Sequence, residues 1–206
     1  MTSLANDGEW LAFTELGNIL EQGGGGVEKN IEAALFWYRR AIVEADDANA
    51  HLALARISYN SGDSNKDYSE AFQHCEKALS APPPFDLTTA NKIGALLMLA
   101  QIHQEGLSVP TNLDSARNCY EKAAEFGSVV AMRLLGHLEW KSGKFLRGLL
   151  LILRAVYRGT RIALASPNDP KLVGIEAFTL GSSARIAMTR AQQSRGKNAP
   201  LGEKLE

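Results

Sequence analysis

The residues of this 206-residue chain whose types could support chemistry are few, and their spacing supports little. Of its four histidines, His51, His74 and His137 are assigned to separate units of the chain, with no H-x-x-x-H pair among them. A helical zinc site needs two imidazoles one turn apart, so no metal is expected. His103 lies on an apolar stripe and is expected to pack between helices instead of binding a ligand. No serine between residues 1 and 159 has lysine three positions on, which leaves that region without an S-x-x-K nucleophile. The run Gly23 to Gly26 is not followed by G-K-[S/T] and reads as a turn, not a phosphate cradle. Neither G-x-S-x-G nor H-E-x-x-H occurs. No catalytic residue and no cofactor are therefore expected. Cys75 and Cys119 are read as free thiols serving as small apolar side chains.

Composition narrows the class of role. Hydrophobic residues make up 45% and charged residues 22%, the balance of a folded globular chain. Lys and Arg total 22 against 23 for Asp and Glu, so the positive excess of a nucleic-acid backbone binder is missing. The apolar run Leu149 to Leu153 is far shorter than the ~20 residues that cross a bilayer. The N-terminal stretch shows no basic segment followed by an apolar one. The expectation is a cytoplasmic protein with no nucleic-acid partner and no membrane insertion.

What must position any working surface is an internal repeat. The small residues Ala34, Ala71, Ala116 and Gly148 are each followed three positions later by Trp37, His74, Cys119 and Leu151. Next come Tyr38, Cys75, Tyr120 and Ile152, then the basic residues Arg40, Lys77, Lys122 and Arg154, each directly before an alanine. This frame recurs at offsets of 37, 45 and 32 without a gap, the signature of stacked helical hairpins. A looser frame precedes it. Ala12, Leu16, Gly17, Leu20 and Gly23 match Ala95, Leu99, Ala100, His103 and Gly106, and the fourth unit opens with Ala131, Leu135 and Gly136. Such spacing lays one stripe along a helix, and its small members admit a second helix closely.

First-half (A) helices are predicted near 9–22, 48–61, 88–105 and 129–142, and second-half (B) helices near 30–45, 67–80, 112–126 and 144–158. Asn30 and Asn112 are the expected N-caps, and Asp67-x-x-Glu70 an expected capping box. Gly159-x-x-x-Ala163 copies the unit openings, as though a fifth unit began and stopped. The fold class expected is all-α: about four stacked helical hairpins, with a C-terminal helical cap. Repeats fall at about 9–45, 48–80, 88–127 and 128–159. A capping segment spans 160–195, with a helix over 170–193, and a tail spans 196–206.

The third unit, "ALLMLAQIHQEGLSVPTNLDSARNCYEKAAEFG", resembles the Sel-one-like repeat, a relative of the tetratricopeptide repeat. The first unit matches that motif through Ala12, Leu16, Gly17, Gly23, Gly25, Trp37, Tyr38 and Ala41. Unit two departs from it with Arg56 in place of glycine, and unit four with a shortened loop. The resemblance, over about residues 5–159, implies a right-handed α/α superhelix acting as an adaptor, often bacterial, that binds a partner protein or peptide on its concave face and does not by itself imply catalysis. Carried over by register, it implies a partner-binding row. In unit one this is Thr14, Asn18, Glu21 and Gln22, and in unit two Ala53, Ile57 and Asn60. Units three and four add Leu97, Gln101, Gln104, Glu105, Arg133, His137, Trp140 and Lys141. Trp140 is one position past a stripe site, so it either anchors the partner or is core. Three roles stay open: an interaction scaffold, an immunity protein neutralising a toxin, and a β-lactam-like small-molecule binder or hydrolase. Homodimer formation also stays open.

Overall fold

A computed structural model describes residues 10–23, 26–61, 65–82 and 87–165. Among these described residues eight helices follow in order: α1 Trp10–Gln22, α2 Ile31–Ala45, α3 Ala48–Ser61, α4 Asn65–Ser80, α5 Thr89–Glu105, α6 Leu113–Glu125, α7 Val129–Lys141 and α8 Phe145–Ala165. The described residues contain no extended strand. Consecutive helices pair as hairpins, α1 with α2, α3 with α4, α5 with α6 and α7 with α8. Helices α2, α4 and α6 each also pack on the A helix of the next hairpin, and the adjacent A helices α3 and α5 touch. The fold is the expected all-helical superhelix. The apolar interior is divided accordingly into three clusters strung along the array, as a solenoid requires.

The sequence frame explains this geometry. Gly17 faces Tyr38 in the first hairpin, where an added Cβ would lie 2.5 Å from the ring's Cε1. In the last hairpin the two backbones themselves meet, since a Cβ on Gly148 would come 2.7 Å from the carbonyl oxygen of Gly136. Gly106 ends α5 at φ 71°, a left-handed turn that lacks a penalty only without a side chain. Asn30 and Asn112 cap α2 and α6 through their side chains, as expected.

Two boundaries differ from expectation. Helix α4 starts at Asn65, which puts Asp67 inside the first turn instead of at the cap. There its charge still complements the positive end of the helix dipole. Helix α8 continues to Ala165, seven residues past the expected end at 158, so Gly159 and Ala163 extend a helix and open no fifth unit. A single glycine costs a helix only about 1 kcal/mol, and no proline intervenes before Pro167. The basic frame residues also divide. Lys77 and Lys122 lie in last turns, where the dipole favours them, whereas Arg154 sits mid-helix and Arg40 stacks 4.8 Å above the Phe13 ring. The helix expected over 170–193 and the tail lie outside the described residues.

Candidate functional site

The A helices of the first three hairpins enclose a cleft of about 460 Å³. Helix α1 contributes Thr14, Glu15, Asn18 and Gln22, α3 and its entry contribute Asp47, Asn49, Leu52, Ala53 and Arg56, and the start of α5 adds Thr88 and Asn91. Nine of the eleven lining residues carry polar side chains, and several of them are held in place. The Thr14 hydroxyl donates to the Asp47 carboxylate, whose other oxygen accepts from the Asn49 amide N–H at 3.0 Å. The Asn91 side-chain N–H donates to the Asn49 Oδ1 at 3.0 Å, joining α3 to α5. Beneath them the Tyr38 hydroxyl lies 2.8 Å from both Asn18 Oδ1 and Glu21 Oε2, able to donate to one at a time. Arg56 reaches the same Glu21 oxygen at 2.6 Å. Burial, reinforced by the Glu21 charge, raises the Tyr38 phenol above its ordinary range and keeps it a neutral donor. The cleft thus presents amide groups, the Glu15 carboxylate and a guanidinium already paired with Glu21 over a hydrogen-bonded floor.

Of the row expected from register, Thr14, Asn18, Gln22 and Ala53 meet in this cleft. Glu21 is buried behind it as the counter-charge to Arg56. Leu97 corrects the register: it is fully buried in the cluster of α5, α6 and α7 and offers nothing to a partner. The sites equivalent to it, Thr14 and Ala53, are nearly buried too, because A helices press against the following hairpin. Gln101 accepts from the Tyr59 hydroxyl at 2.7 Å and Gln104 from the Tyr120 hydroxyl at 3.3 Å, which ties both to the array's own frame. Ile57 is half-buried, and Asn60 and Glu105 are exposed toward the helix ends. On α7, Arg133, His137 and Lys141 form an exposed row. Trp140 is 46% exposed, edge-on to Phe145 at 5.2 Å, and so is not core. The register missed Asp47, Asn49, Arg56, Thr88 and Asn91. Four of these lie in or beside the links that join hairpins, where the repeat frame assigns no position. Arg56 was hidden as a departure from the motif.

His51 and His74 belong to one hairpin, contrary to the assignment to separate units. Their Nδ1 atoms are 2.8 Å apart, and His51 Nε2 lies 2.8 Å from Asp46 Oδ1. His103 packs edge-on against Phe72 at 5.4 Å. Cys75 is buried and Cys119 half-buried, both free. Burial raises both thiols above their ordinary range, so neither is an activated nucleophile.

The Sel1 repeat model matches residues 14–42, 48–82 and 93–128, one match in each of the first three hairpins. The chain belongs to the Sel1 repeat family. Sel1 repeats are typically non-catalytic and mediate protein–protein interaction. The fourth hairpin, α7–α8, follows the last matched range. An uncharacterised protein of Neisseria meningitidis is 30% identical over 104 residues, half of this chain, while the match spans only 20% of that relative's length. Among solved structures, c5321, a protective antigen of uropathogenic Escherichia coli with an SLR fold, aligns with a TM-score of 0.57 and 21% identity. That alignment covers 98% of this chain and 44% of c5321, and it shows the fold. A Sel1 repeat protein from Oxalobacter formigenes aligns with a TM-score of 0.49 and 27% identity, over 65% of this chain and 92% of its own. No helix among the described residues is long and apolar enough to cross a membrane.

Proposed function

We propose that the protein is a non-enzymatic scaffold that binds an extended segment of a partner protein along its concave A-helix face. The observation that carries this reading is the amide-lined cleft spanning α1, α3 and α5. Asn18, Gln22, Asn49 and Asn91 can pair with the N–H and C=O groups of an extended backbone without regard to its side chains. Small-molecule pockets are predominantly apolar, and this cleft is not, which favours a peptide over the small-molecule reading. The bound segment continues to the Arg133–His137–Lys141 row on α7, where the exposed Trp140 ring supplies an aromatic anchor.

Capture from native lysate tests the reading, using the wild type and three variants: Gln22→Ala/Asn49→Ala, Trp140→Ala and Arg133→Glu/Lys141→Glu. These positions are exposed or lie at the cleft, so circular dichroism should show intact helices. Loss of one specific protein from the variants supports the cleft as the site. Equal capture by all four proteins places binding elsewhere and sinks the reading.

A further inference from the structure

Helix α8 differs from the other B helices on the side that the array leaves open. Leu146, Leu150, Leu153, Tyr157 and Leu164 follow alternating spacings of four and three, with Thr160 completing the pattern, the seam of a coiled-coil helix. All five are exposed, Leu146 by 80% and Leu150 by 67%. The first four occupy frame positions that are polar in the middle hairpins. In α6 they are Asp114, Asn118, Glu121 and Glu125, α4 is polar at all four, and α2 is apolar at two (Phe36 and Val43). In α6 Asp114 and Asn118 are exposed, whereas Glu121, which bonds Arg147, and Glu125 line a groove against the next hairpin, so a further hairpin would abut the Leu153–Tyr157 end of the seam and leave its Leu146–Leu150 end open.

One edge of the seam is Arg147, Arg154 and Arg161, spaced by seven, and the opposite edge is Leu149, Val156 and Ala163. Helix α8 contains no acidic residue. Arg147 is held by Glu121 at 2.8 Å, while Arg154 and Arg161 have no ion pair among the described residues. Charges at these flanking positions choose the partner of a helical seam. A second copy does not fit. Antiparallel pairing of α8 with itself sets arginine against arginine, and parallel pairing sets arginine against Leu149 and Val156. The sequence after Ala165 offers only Asp169 and Glu176 before residue 200, among five basic residues, and so does not complement the edge.

We infer that the outer seam of α8 docks an amphipathic helix of a partner protein whose flank carries acidic residues at seven-residue spacing opposite Arg154 and Arg161. This surface is separate from the α1–α3–α5 cleft and does not depend on it.

The full chain can be titrated, by fluorescence anisotropy, with a labelled synthetic helix of 21 residues bearing leucines at the seam and glutamates on its flanks. An otherwise identical peptide with lysine flanks is the control. The expected result is at least tenfold tighter binding of the glutamate peptide, reversed by Arg154→Glu/Arg161→Glu and abolished by Leu150→Ser/Leu153→Ser. Because these side chains are exposed, circular dichroism of the variants should match the wild type. Equal binding of both peptides, or binding indifferent to the arginine reversal, overturns the inference. So does binding of neither peptide by a monomer, which would mean that the seam is covered within the chain. A concentration-dependent dimer lost in Leu150→Ser/Leu153→Ser assigns the seam to a second copy instead. Flotation with vesicles of anionic phospholipid, without peptide selectivity, assigns it to a membrane surface.

Discussion

Gly17 and the Tyr38 ring occupy one space: a Cβ on the glycine would stand 2.5 Å from Cε1 and 2.9 Å from Cζ of the tyrosine. The ring cannot retreat easily, because its hydroxyl is fixed between Asn18 and Glu21. Gly17→Ala gains about 1 kcal/mol of helix propensity but overpacks the contact by roughly 1–3 kcal/mol. The net expectation is a loss of stability of up to about 2 kcal/mol, read as a lower urea midpoint at unchanged slope. In a Tyr38→Cys background, which copies the second hairpin, the same substitution should become neutral or stabilising. Equal destabilisation in both backgrounds would show that the ring is not the cause.

Glu139 is a fully buried carboxylate on α7 surrounded by cations from two other elements. Arg117 of α6 donates to it from Nε at 2.9 Å, and Lys144 and Arg147 approach to 3.5 and 3.6 Å. Removing one member of a buried ionic cluster strands the others, at a cost of about 3–5 kcal/mol when all are buried. Here Lys144 and Arg147 are half exposed and can recover water, so Glu139→Gln should cost about 2–3 kcal/mol. Glu139→Leu should cost at least as much, since no acceptor remains for Arg117. Chemical unfolding within 0.5 kcal/mol of wild type, on the order of a surface substitution, would refute this account.

The His51–His74 pair makes stability depend on pH. Burial, then the His51 charge and Lys77 and Arg39, lowers the affinity of His74 for a proton, with Glu70 opposing them. Asp46 holds the far nitrogen of His51, so one imidazole donates and the other accepts across the 2.8 Å gap. A doubly protonated pair would place two donors face to face. The unfolded chain therefore binds a proton at His74 more readily than the folded one. Stability should be intact above the unfolded value of about 6.5 and fall as pH drops below it, by at most about 1.4 kcal/mol per unit. Thermal midpoints from pH 7.5 to 5 should show this slope, and His74→Gln should flatten it. A slope that persists unchanged in His74→Gln would assign the effect to other groups.

The hairpins were legible because Ala34, Ala71, Ala116 and Gly148 must be small where helices cross, and sequence records size directly. The ends at Gly23, Gly106 and Gly143 were legible because a left-handed residue without strain is nearly always glycine. The site was only half legible. Asn18 and Gln22 follow from the helix period, but Asp47, Asn49 and Thr88 owe their place to links whose lengths differ between units. Leu97 was misplaced because register fixes a face of one helix and not what the next hairpin lays upon it. The His51–His74 contact escaped because it crosses a hairpin between positions that the frame never compares.

The meeting of Gly136 and Gly148 bears on how such chains are counted. Where earlier hairpins set an aromatic ring or a thiol on a helix, the last sets Ile152 beside two glycines and brings main chain against main chain. The resulting pair is as intimate as any in the molecule, yet it has shed the aromatic letters by which a motif is recognised. For proteins built this way, tallying recognisable motifs sets a floor on the number of stacked units, and the true reach of the superhelix exceeds it.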